Sequence, residues 1–340
     1  KEQNATRLGF EVDYDRIIFS SAFRSLQDKK QVILFQNRRG YSPILMCNTC
    51  GFTPSCKNCD VSLTYHKHSR QLSCHYCGYG MSIAKVCPAC GDNNMLVKGF
   101  GTEKIEEELA IYFPEAKISR MDLDTTRKKH SYHHLITSFQ DGEIDILVGT
   151  QMVAKGLDFE DVSVVGILDA DSMLYFPDFR AFEKSYQLMS QVAGRAGRKG
   201  KRGEVIIQTY SPEHKVIQQV IQSDFEGLYK DELFERKNFQ YPPFYRLIKL
   251  TLKHREVKNL NASADELAEN LKHIFGKRVL GPEFPGISRI KNFYIKNILL
   301  KVEKTASIAK VKQILAEQIQ EFSSGKRNKS VRVNVDVDPF

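Results

Sequence analysis

The sequence predicts an α/β protein that is interrupted by a cysteine-rich insertion and ends in a small α+β domain. Apolar runs of strand length alternate with amphipathic helical segments through most of residues 1–234, a pattern typical of a parallel sheet covered by helices. All eight cysteines lie between positions 47 and 90, where they break that pattern. We therefore expect one lobe formed by residues 1–45 and 93–234, an insertion over residues 46–92, and a basic α+β domain over residues 235–340.

The strands of the lobe are predicted from short apolar runs, and its helices from the amphipathic segments between them. A helix ends at residue 28, and the first strand follows at residues 31–35. Further strands are predicted over residues 117–122, 145–148, 162–168 and 203–210, with helices over 103–112, 125–140, 180–198 and 213–239. This alternation predicts a parallel, RecA-like sheet, whose ligands bind at the carboxyl ends of the strands.

Polar residues follow two of these strands at the expected ligand edge. Arg38 and Arg39 come after the first strand, and Thr150 and Gln151 come after the strand at residues 145–148. Hydroxyl, amide and guanidinium groups are common contacts to a nucleic-acid backbone. We expect these four residues to bind nucleic acid, and three residues of the second loop to lie nearer a nucleotide: Lys155, Gly156 and Asp158.

The eight-residue string QVAGRAGR, which begins at Gln191, is the strongest functional signal in the lobe. On an α-helix Gln191, Arg195 and Arg198 fall on one stripe, because they are four and three residues apart. Glycine costs about 1 kcal/mol relative to alanine inside a helix, so Gly194 and Gly197 indicate function rather than helix propensity. We predict a phosphate clamp; the alternative is a solvated basic turn. The string is similar to the sixth motif of superfamily 2 helicases, whose arginines face the γ-phosphate of ATP.

The cysteines form four C-x-x-C pairs with none left over: Cys47/Cys50, Cys56/Cys59, Cys74/Cys77 and Cys87/Cys90. A disulfide framework is the alternative, but this spacing in a long chain without a secretion signal favours metal. Glycine follows three of the pairs and permits a tight turn around the thiolates. Two Zn(Cys)₄ sites use the whole set, and closed four-coordinate sites of this kind are structural.

The segment between the inner two pairs bears on which pairs share a metal. Fourteen residues separate Cys59 from Cys74, enough for a β-hairpin. This favours a nested arrangement, in which the inner pairs share one ion and the outer pairs the other, over a crossed arrangement. His66, His68 and His75 are alternative ligands, but eight thiolates already complete two sites.

Positive charge is concentrated at the end of the chain. The formal net charge is +9 overall, and residues 235–340 contain 21 Lys or Arg against 11 Asp or Glu. Charge localised in this way indicates phosphate-backbone binding, although solvated surface lysine is the commoner explanation for any single residue. After a Pro-Pro linker, strands and helices are predicted in alternation and give a small, ferredoxin-like α+β sandwich, over residues 245–253, 262–275, 292–302, 307–322 and 331–337.

The sequence contains neither a secretion signal nor an apolar run of membrane-spanning length. We therefore expect a cytoplasmic protein that has no membrane partner. The chain begins at Lys1 rather than at methionine, which indicates a piece of a longer protein.

Several of these stretches together resemble the family of bacterial primosomal replication-restart helicases. The resemblance covers nearly the whole chain, and its most specific feature is the eight-cysteine insertion inside the second motor lobe. It is also carried by QVAGRAGR and by five other strings, NRRGY at Asn37, GTQM at Gly149, FRAFE at Phe179, YPPF at Tyr241 and DVDP at Asp336.

The resemblance implies the C-terminal part of an ATP-driven 3′-to-5′ DNA helicase that recognises stalled or abandoned replication forks and single-stranded DNA. It implies as partners the single-stranded-DNA-binding protein, primosome proteins and the loader of the replicative helicase. It also implies that Gln191 and the two arginines serve catalysis, and that the zinc ligands are nested. One ion would be held by Cys47, Cys50, Cys87 and Cys90, and the other by Cys56, Cys59, Cys74 and Cys77.

The first half of a nucleotide site is missing from this sequence. Neither a G-x-x-x-x-G-K-[ST] loop nor a D-E-x-H box occurs. Phosphoryl transfer depends on groups positioned on both sides of the nucleotide, so we expect ATP and Mg²⁺ to be used by the full-length enzyme and not by this part alone. The alternative function is a stand-alone zinc-dependent DNA-binding or protein-adaptor module with a degenerate motor lobe.

Overall fold

A computed structural model describes residues 12–37, 44–66, 70–84, 86–98, 102–122, 125–126, 131–154, 159–197 and 203–339. Its contacts divide the chain into two units, Lys1–Ser42 with Gly99–Glu232 and Pro43–Lys98 with Leu233–Phe340. Each unit combines two separated stretches of sequence. The cysteine-rich segment groups with the C-terminal domain, although it interrupts the lobe in sequence. The predicted boundaries after residues 45, 92 and 234 stay predictions.

Strands and helices are numbered along the chain. The described strands are β1 (Gln31–Gln36), β2 (Ile44–Cys47), β3 (Thr64–His66), β4 (Gln71–Ser73), β5 (Gly80–Ser82), β6 (Met95–Lys98), β7 (Ile118–Met121), β8 (Ile146–Gly149), β9 (Val162–Leu168), β10 (Glu204–Ile207), β11 (Tyr245–His254), β12 (Val279–Glu283), β13 (Arg289–Ile290), β14 (Phe293–Glu303) and β15 (Arg332–Val337). The described helices are α1 (Val12–Gln27), α2 (Thr102–Tyr112), α3 (Ser131–Gln140), α4 (Gln151–Ala154), α5 (Asp171–Leu174), α6 (Ala181–Ala193), α7 (Lys215–Gln222), α8 (Phe225–Asn238), α9 (Val257–Phe275) and α10 (Ile308–Ser324).

The first unit contains a parallel sheet with the strand order β10-β9-β1-β8-β7 among its described residues. Strands β1 and β8 are buried along their whole length, which explains their uninterrupted apolar sequences. Ile33 and Phe35 pack into one apolar cluster, whereas Val32 and Leu34 pack into a second. Alternate residues of one strand thus serve two cores, one on each face. The predicted α/β class with a parallel sheet is confirmed.

Two predicted helices of this unit are shorter than expected. The helix predicted over residues 180–198 ends at Ala193, and Gly194 forms its C-cap. The helix predicted over residues 213–239 is divided into α7 and α8, because Ser223 adopts a left-handed conformation with φ 55°. Small residues and left-handed conformations end helices, and here they override a continuous apolar pattern.

In the second unit, the cysteine-rich segment forms an antiparallel sheet with the order β5-β4-β3-β2-β6 among the residues described. Strands β3 and β4 make the hairpin that the spacing between the inner cysteine pairs predicts. The apolar cluster of this segment is small. Its buried members are three leucines and three cysteines, Leu45, Leu63, Leu72, Cys56, Cys59 and Cys74.

The C-terminal domain has the chain order β11-α9-β12-β14-α10-β15 and the sheet order β12-β14-β11-β15, with every pairing antiparallel. This is the ferredoxin-like arrangement that the sequence predicts. Leu250 of β11 and Ile298 of β14 pack against Leu260 and Leu267 of α9. The short strand β13, which sequence reasoning missed, pairs with the start of β14. Over the described part of the chain, each helix lacks either the length or the apolar character needed to cross a bilayer.

Candidate functional site

The eight cysteines come together as two groups of four in the second unit. Within each group the four sulfur atoms lie within 4.8 Å of one another. The groups have the nested composition: the outer site is Cys47, Cys50, Cys87 and Cys90, and the inner site is Cys56, Cys59, Cys74 and Cys77. His66 and His75 make an edge contact with each other and belong to neither group, while His68 lies outside the described residues.

The spacing of the sulfur atoms fits a tetrahedral metal centre. Sulfur–sulfur distances are 3.6 Å for Cys47–Cys90 and 3.5 Å for Cys56–Cys77. Zn–S bonds of about 2.3 Å place the vertices of a tetrahedron about 3.8 Å apart, whereas a disulfide needs about 2.05 Å. The eight thiols are therefore arranged as ligands and not as disulfides, and the two four-cysteine clusters support zinc binding.

The surroundings of the thiols lower the pKa of some cysteines and raise that of others. A hydrogen bond from the backbone amide of Tyr79 lowers the pKa of Cys77 to about 7. Burial raises the pKa of Cys59 to about 12. A divalent cation deprotonates its thiol ligands outright and supplies the positive charge that four clustered thiolates need. The donor set is that of a closed, structural site, because four protein ligands leave no position for a substrate.

The first unit presents polar side chains at the carboxyl edge of its sheet. Thr150 follows β8 and is buried, and its amide donates to the Met121 carbonyl over 3.3 Å. Gln151 begins α4, and its Nε2 donates to Oδ1 of Asn37 over 3.4 Å, directly after β1. These residues therefore meet at the edge where parallel sheets bind ligands.

A depression of about 300 Å³ lies beside this edge and is lined by side chains of mixed chemistry. Gln151 and Gln191, which the sequence assigned to DNA and to nucleotide respectively, both line it. They are joined by the ammonium group of Lys184 and by the ring of Phe176, which is 44% exposed. Phe176 and Lys184 were missed because neither belongs to a recognisable motif, and only the fold brings them to the glutamines.

The continuous helical stripe predicted from Gln191 onwards is wrong as far as Arg195. Because α6 ends at Ala193, Gln191 lies on the helix while Arg195 lies beyond its cap. Nη2 of Arg195 donates to the carbonyl of Ala154, the last residue of α4, over 2.7 Å. At least part of the Arg195 guanidinium therefore stabilises its own lobe, in the manner of a basic residue at a helix C-terminus.

The two glycines of the string are used within the chain itself. Gly194 caps α6, and Gly197 has φ 75° and donates its amide to Val162 over 3.0 Å at the start of β9. A Cβ on Gly203 would lie 2.4 Å from the Gly197 nitrogen, so these backbones are in close contact. The absence of a side chain at Gly203 thus lets two segments of the same lobe approach closely.

Six predicted binding residues lie outside the described part of the chain: Arg38, Arg39, Lys155, Gly156, Asp158 and Arg198. Their roles stay predictions.

Sequence reasoning also missed a contact made by the inner cysteine site. Asp60 follows Cys59, and its carboxylate binds Ser288 and Arg289 at the start of β13 in the C-terminal domain, 228 and 229 positions later in the chain. One feature of the sequence could have indicated this contact. Glycine follows the other three C-x-x-C pairs, whereas Asp60 follows Cys59.

Three family models match consecutive parts of the chain. The PriA DNA helicase Cys-rich region (CRR) domain matches residues 56–81, the helicase conserved C-terminal domain matches residues 90–200, and the primosomal protein N C-terminal domain matches residues 237–340. Along the chain the cysteine-rich region comes first, the helicase domain second and the C-terminal domain last.

Curated relatives match along most of the chain. The replication restart protein PriA of Bacillus subtilis is 41% identical over 313 residues, which cover 92% of this chain and 38% of the relative. The protein of the same name from Synechocystis is 38% identical over 341 residues, which cover 96% of this chain and 40% of the relative. Among solved structures, S. cerevisiae Dbp5 bound to RNA and ADP BeF3 has a TM-score of 0.33 at 16% identity, over 66% of this chain and 42% of that chain.

This chain accordingly spans about two fifths of the length of these two curated relatives. The three domain models and the two relatives agree on one assignment: the chain belongs to the PriA family of replication restart proteins, of which it represents the C-terminal portion.

Proposed function

We propose that this chain is the C-terminal portion of an ATP-dependent 3′-to-5′ DNA helicase that acts at stalled or abandoned replication forks and starts primosome assembly in the cytoplasm. The observation that carries the proposal is the presence of a PriA-type cysteine-rich region and C-terminal domain on the same chain as a helicase C-terminal lobe. The match to Replication restart protein PriA supports it further. The stand-alone adaptor alternative gains no support from the fold or the relatives.

The zinc ions have a structural role in this proposal. Each four-cysteine site holds one Zn²⁺ and uses all of its ligands, so the metal orders the cysteine-rich segment and takes no part in ATP chemistry. The segment then offers a rigid surface to the DNA or to a protein partner at the fork. The proposed partners are the single-stranded-DNA-binding protein, primosome proteins and the loader of the replicative helicase.

In the lobe we assign DNA contact to the carboxyl edge of the sheet. Gln151 presents an amide that both donates and accepts hydrogen bonds, and Phe176 offers a ring face for base stacking. Gln191 lines the same depression and stays assigned to the nucleotide. Arg38, Arg39 and Thr150 are assigned to the DNA backbone. Ring stacking and amide contacts to the sugar-phosphate backbone tolerate any base sequence, as a motor that moves along DNA requires.

The nucleotide is assigned to the segments that precede and follow this edge. Lys155, Gly156 and Asp158 would lie near ATP, and Arg198 would contact its γ-phosphate. Arg195 is partly committed to Ala154, so Arg198 is the stronger candidate for a phosphate contact. ATP and Mg²⁺ bind only when an N-terminal lobe supplies the phosphate loop, and the chain alone is proposed to be inactive.

The proposal is tested with the full-length protein, by comparison of DNA-stimulated ATP hydrolysis and DNA affinity. Arg198→Ala is expected to lower turnover by about a thousandfold, the range of arginines that stabilise phosphoryl transfer, with DNA affinity changed less than about twofold. Arg24→Ala is the matched control, because Arg24 is an exposed arginine of the same lobe and should leave turnover unchanged. Unchanged turnover of Arg198→Ala would remove the assigned role, and a full-length protein without ATPase activity would favour an adaptor.

A further inference from the structure

The C-x-x-C loops share a backbone pattern in which glycine has a defined role. At three of them the glycine after the second cysteine has φ between 74° and 78° and donates its amide to the carbonyl of the first cysteine over 2.9 Å. These bonds join Gly51 to Cys47, Gly78 to Cys74, and Gly91 to Cys87. The positive φ closes each loop on itself, and glycine adopts it without steric cost.

The fourth loop departs from this pattern at Asp60. The left-handed conformation is sterically unfavourable for a residue with a Cβ, and Asp60 does not adopt a positive φ. Its amide donates outward to the carbonyl of Arg289 over 2.9 Å. The hydrogen bond that closes the other loops internally is thus replaced by one to the C-terminal domain.

A second replacement occurs at the sulfur of Cys59. In the other loop of the inner site, the sulfur of the second cysteine, Cys77, accepts a hydrogen bond from the backbone amide of Tyr79, two residues later, over 3.4 Å. At Cys59 the amide of Lys291 donates to the sulfur over 3.3 Å. Amides that point at a thiolate favour its charged form and hence its use as a ligand.

The turn between β13 and β14 is shaped to make these contacts. Lys291 and Asn292 have φ values of 51° and 64°, and their consecutive amides both donate to the inner loop, the second of them to the carbonyl of Asn58 over 2.8 Å. Ile290 packs against the apolar cluster of the cysteine-rich segment. Turn and loop therefore meet through backbone and apolar contacts together.

Side chains add a polar contact around the Asp60 carboxylate. Oδ2 accepts from the Ser288 hydroxyl over 2.7 Å, and Oδ1 accepts from Nε of Arg289 over 2.9 Å. These bonds keep the pKa of Asp60 below its ordinary value despite the opposing effect of burial. Asp60 thus takes the place of the glycine that closes the other loops, and its carboxylate accepts the hydrogen bonds from Ser288 and Arg289.

We propose that residues 288–292 are a functional part of the inner metal centre, and that the C-terminal domain thereby controls how firmly the Cys56/Cys59/Cys74/Cys77 site retains its metal. The outer site closes both of its loops with glycine and is independent of this turn. The inference rests on zinc occupying the two clusters, and it adds a dependence of one site on a distant segment.

The test follows zinc loss from the zinc-loaded chain in excess chelator, by native mass spectrometry for the zinc count and by alkylation mapping for the cysteines set free. Outer-shell substitutions commonly weaken a metal site 10- to 100-fold. Arg289→Ala is expected to speed release from the inner site about tenfold and to leave the outer site unchanged. Arg278→Ala, which breaks an exposed Arg–Glu pair in the same domain, is the matched control and should change neither rate.

Asp60→Gly provides a second, independent test. Glycine restores the residue of the other three loops, so the inner loop can close on Cys56 and should retain zinc without the turn. In that background Arg289→Ala should change inner-site release by less than about twofold. Equal acceleration at both sites, an effect no larger than that of Arg278→Ala, or an undiminished effect in the Asp60→Gly background would each overturn the proposal.

Discussion

Replacement of Arg195 by alanine is expected to lower the stability of the lobe even in the absence of nucleotide. The guanidinium is half-buried and donates over 2.7 Å to the Ala154 carbonyl at the end of α4. A hydrogen bond from a charged group contributes about 1.5–3 kcal/mol, and its loss leaves the terminal carbonyl of α4 without this donor. We therefore expect Arg195→Ala to lower the free energy of unfolding of the lobe by about 2 kcal/mol.

The measurement is differential scanning calorimetry of the chain, read from the transition of the lobe. For a unit of this size 1 kcal/mol corresponds to about 2–4 °C in Tm, so the expected decrease is about 4–8 °C. Arg24→Ala serves as the control: the Arg24–Glu204 pair is exposed and separated by 3.8 Å, and such pairs contribute less than about 1 kcal/mol. A decrease for Arg195→Ala no larger than that for Arg24→Ala would refute this reasoning.

Three further outcomes are expected. Chelation of zinc should abolish hydrogen-exchange protection of the glycine amides in the cysteine loops while β8 and β9 keep theirs, since metal binding supplies on the order of 10 kcal/mol to a segment with a small apolar cluster. A hydrogen bond from Arg246 lowers the pKa of Asp338 in the folded chain, so as the pH falls the unfolded chain protonates this carboxylate at a higher pH than the folded chain does. The stabilisation from this pair should therefore be full above about pH 4 and decline below it. Asp338→Asn should flatten that decline, as measured by urea titrations at a series of pH values. Gly149→Ala should cost about 1–3 kcal/mol, because its Cβ would lie 1.7 Å from Val153, and Val153→Ala should recover most of that loss in thermal melts.

The sheet of the lobe could be predicted because its strands are buried on both faces and their sequences are therefore almost entirely apolar. Strands β1, β8 and β9 are apolar almost throughout, and each was located to within about one residue. The C-terminal domain was equally accessible, because its long strands and helices have distinct periodicities. In these regions local pattern and tertiary environment agree.

The end of α6 could not be predicted from spacing alone. Gln191, Arg195 and Arg198 have helical spacing, and that pattern says nothing of the backbone between them. Gly194 and Gly197 decided the outcome, one as a cap and the other with a positive φ. The sequence predicts a functional glycine inside a helix, whereas in the structure Gly194 ends the helix.

The contact between the inner cysteine site and the C-terminal domain was beyond sequence pattern for a different reason. Its partners are more than 220 positions apart, and a two-residue strand such as β13 carries too little periodicity to be detected. The replacement of glycine by Asp60 indicates that this loop is different, but it does not identify the segment that contacts it. Local chemistry therefore predicted both metal sites, but not the segment that completes one of them.

The separation of these partners has a consequence for synthesis on the ribosome. Asp60 precedes Ser288 by 228 positions. At about 5–20 residues per second, the inner cysteines emerge roughly 10–45 s before the turn that completes their surroundings. During that interval a newly made chain contains every ligand of the outer site, whereas the inner site still lacks the turn that completes its surroundings, so the two sites are completed at different stages of translation.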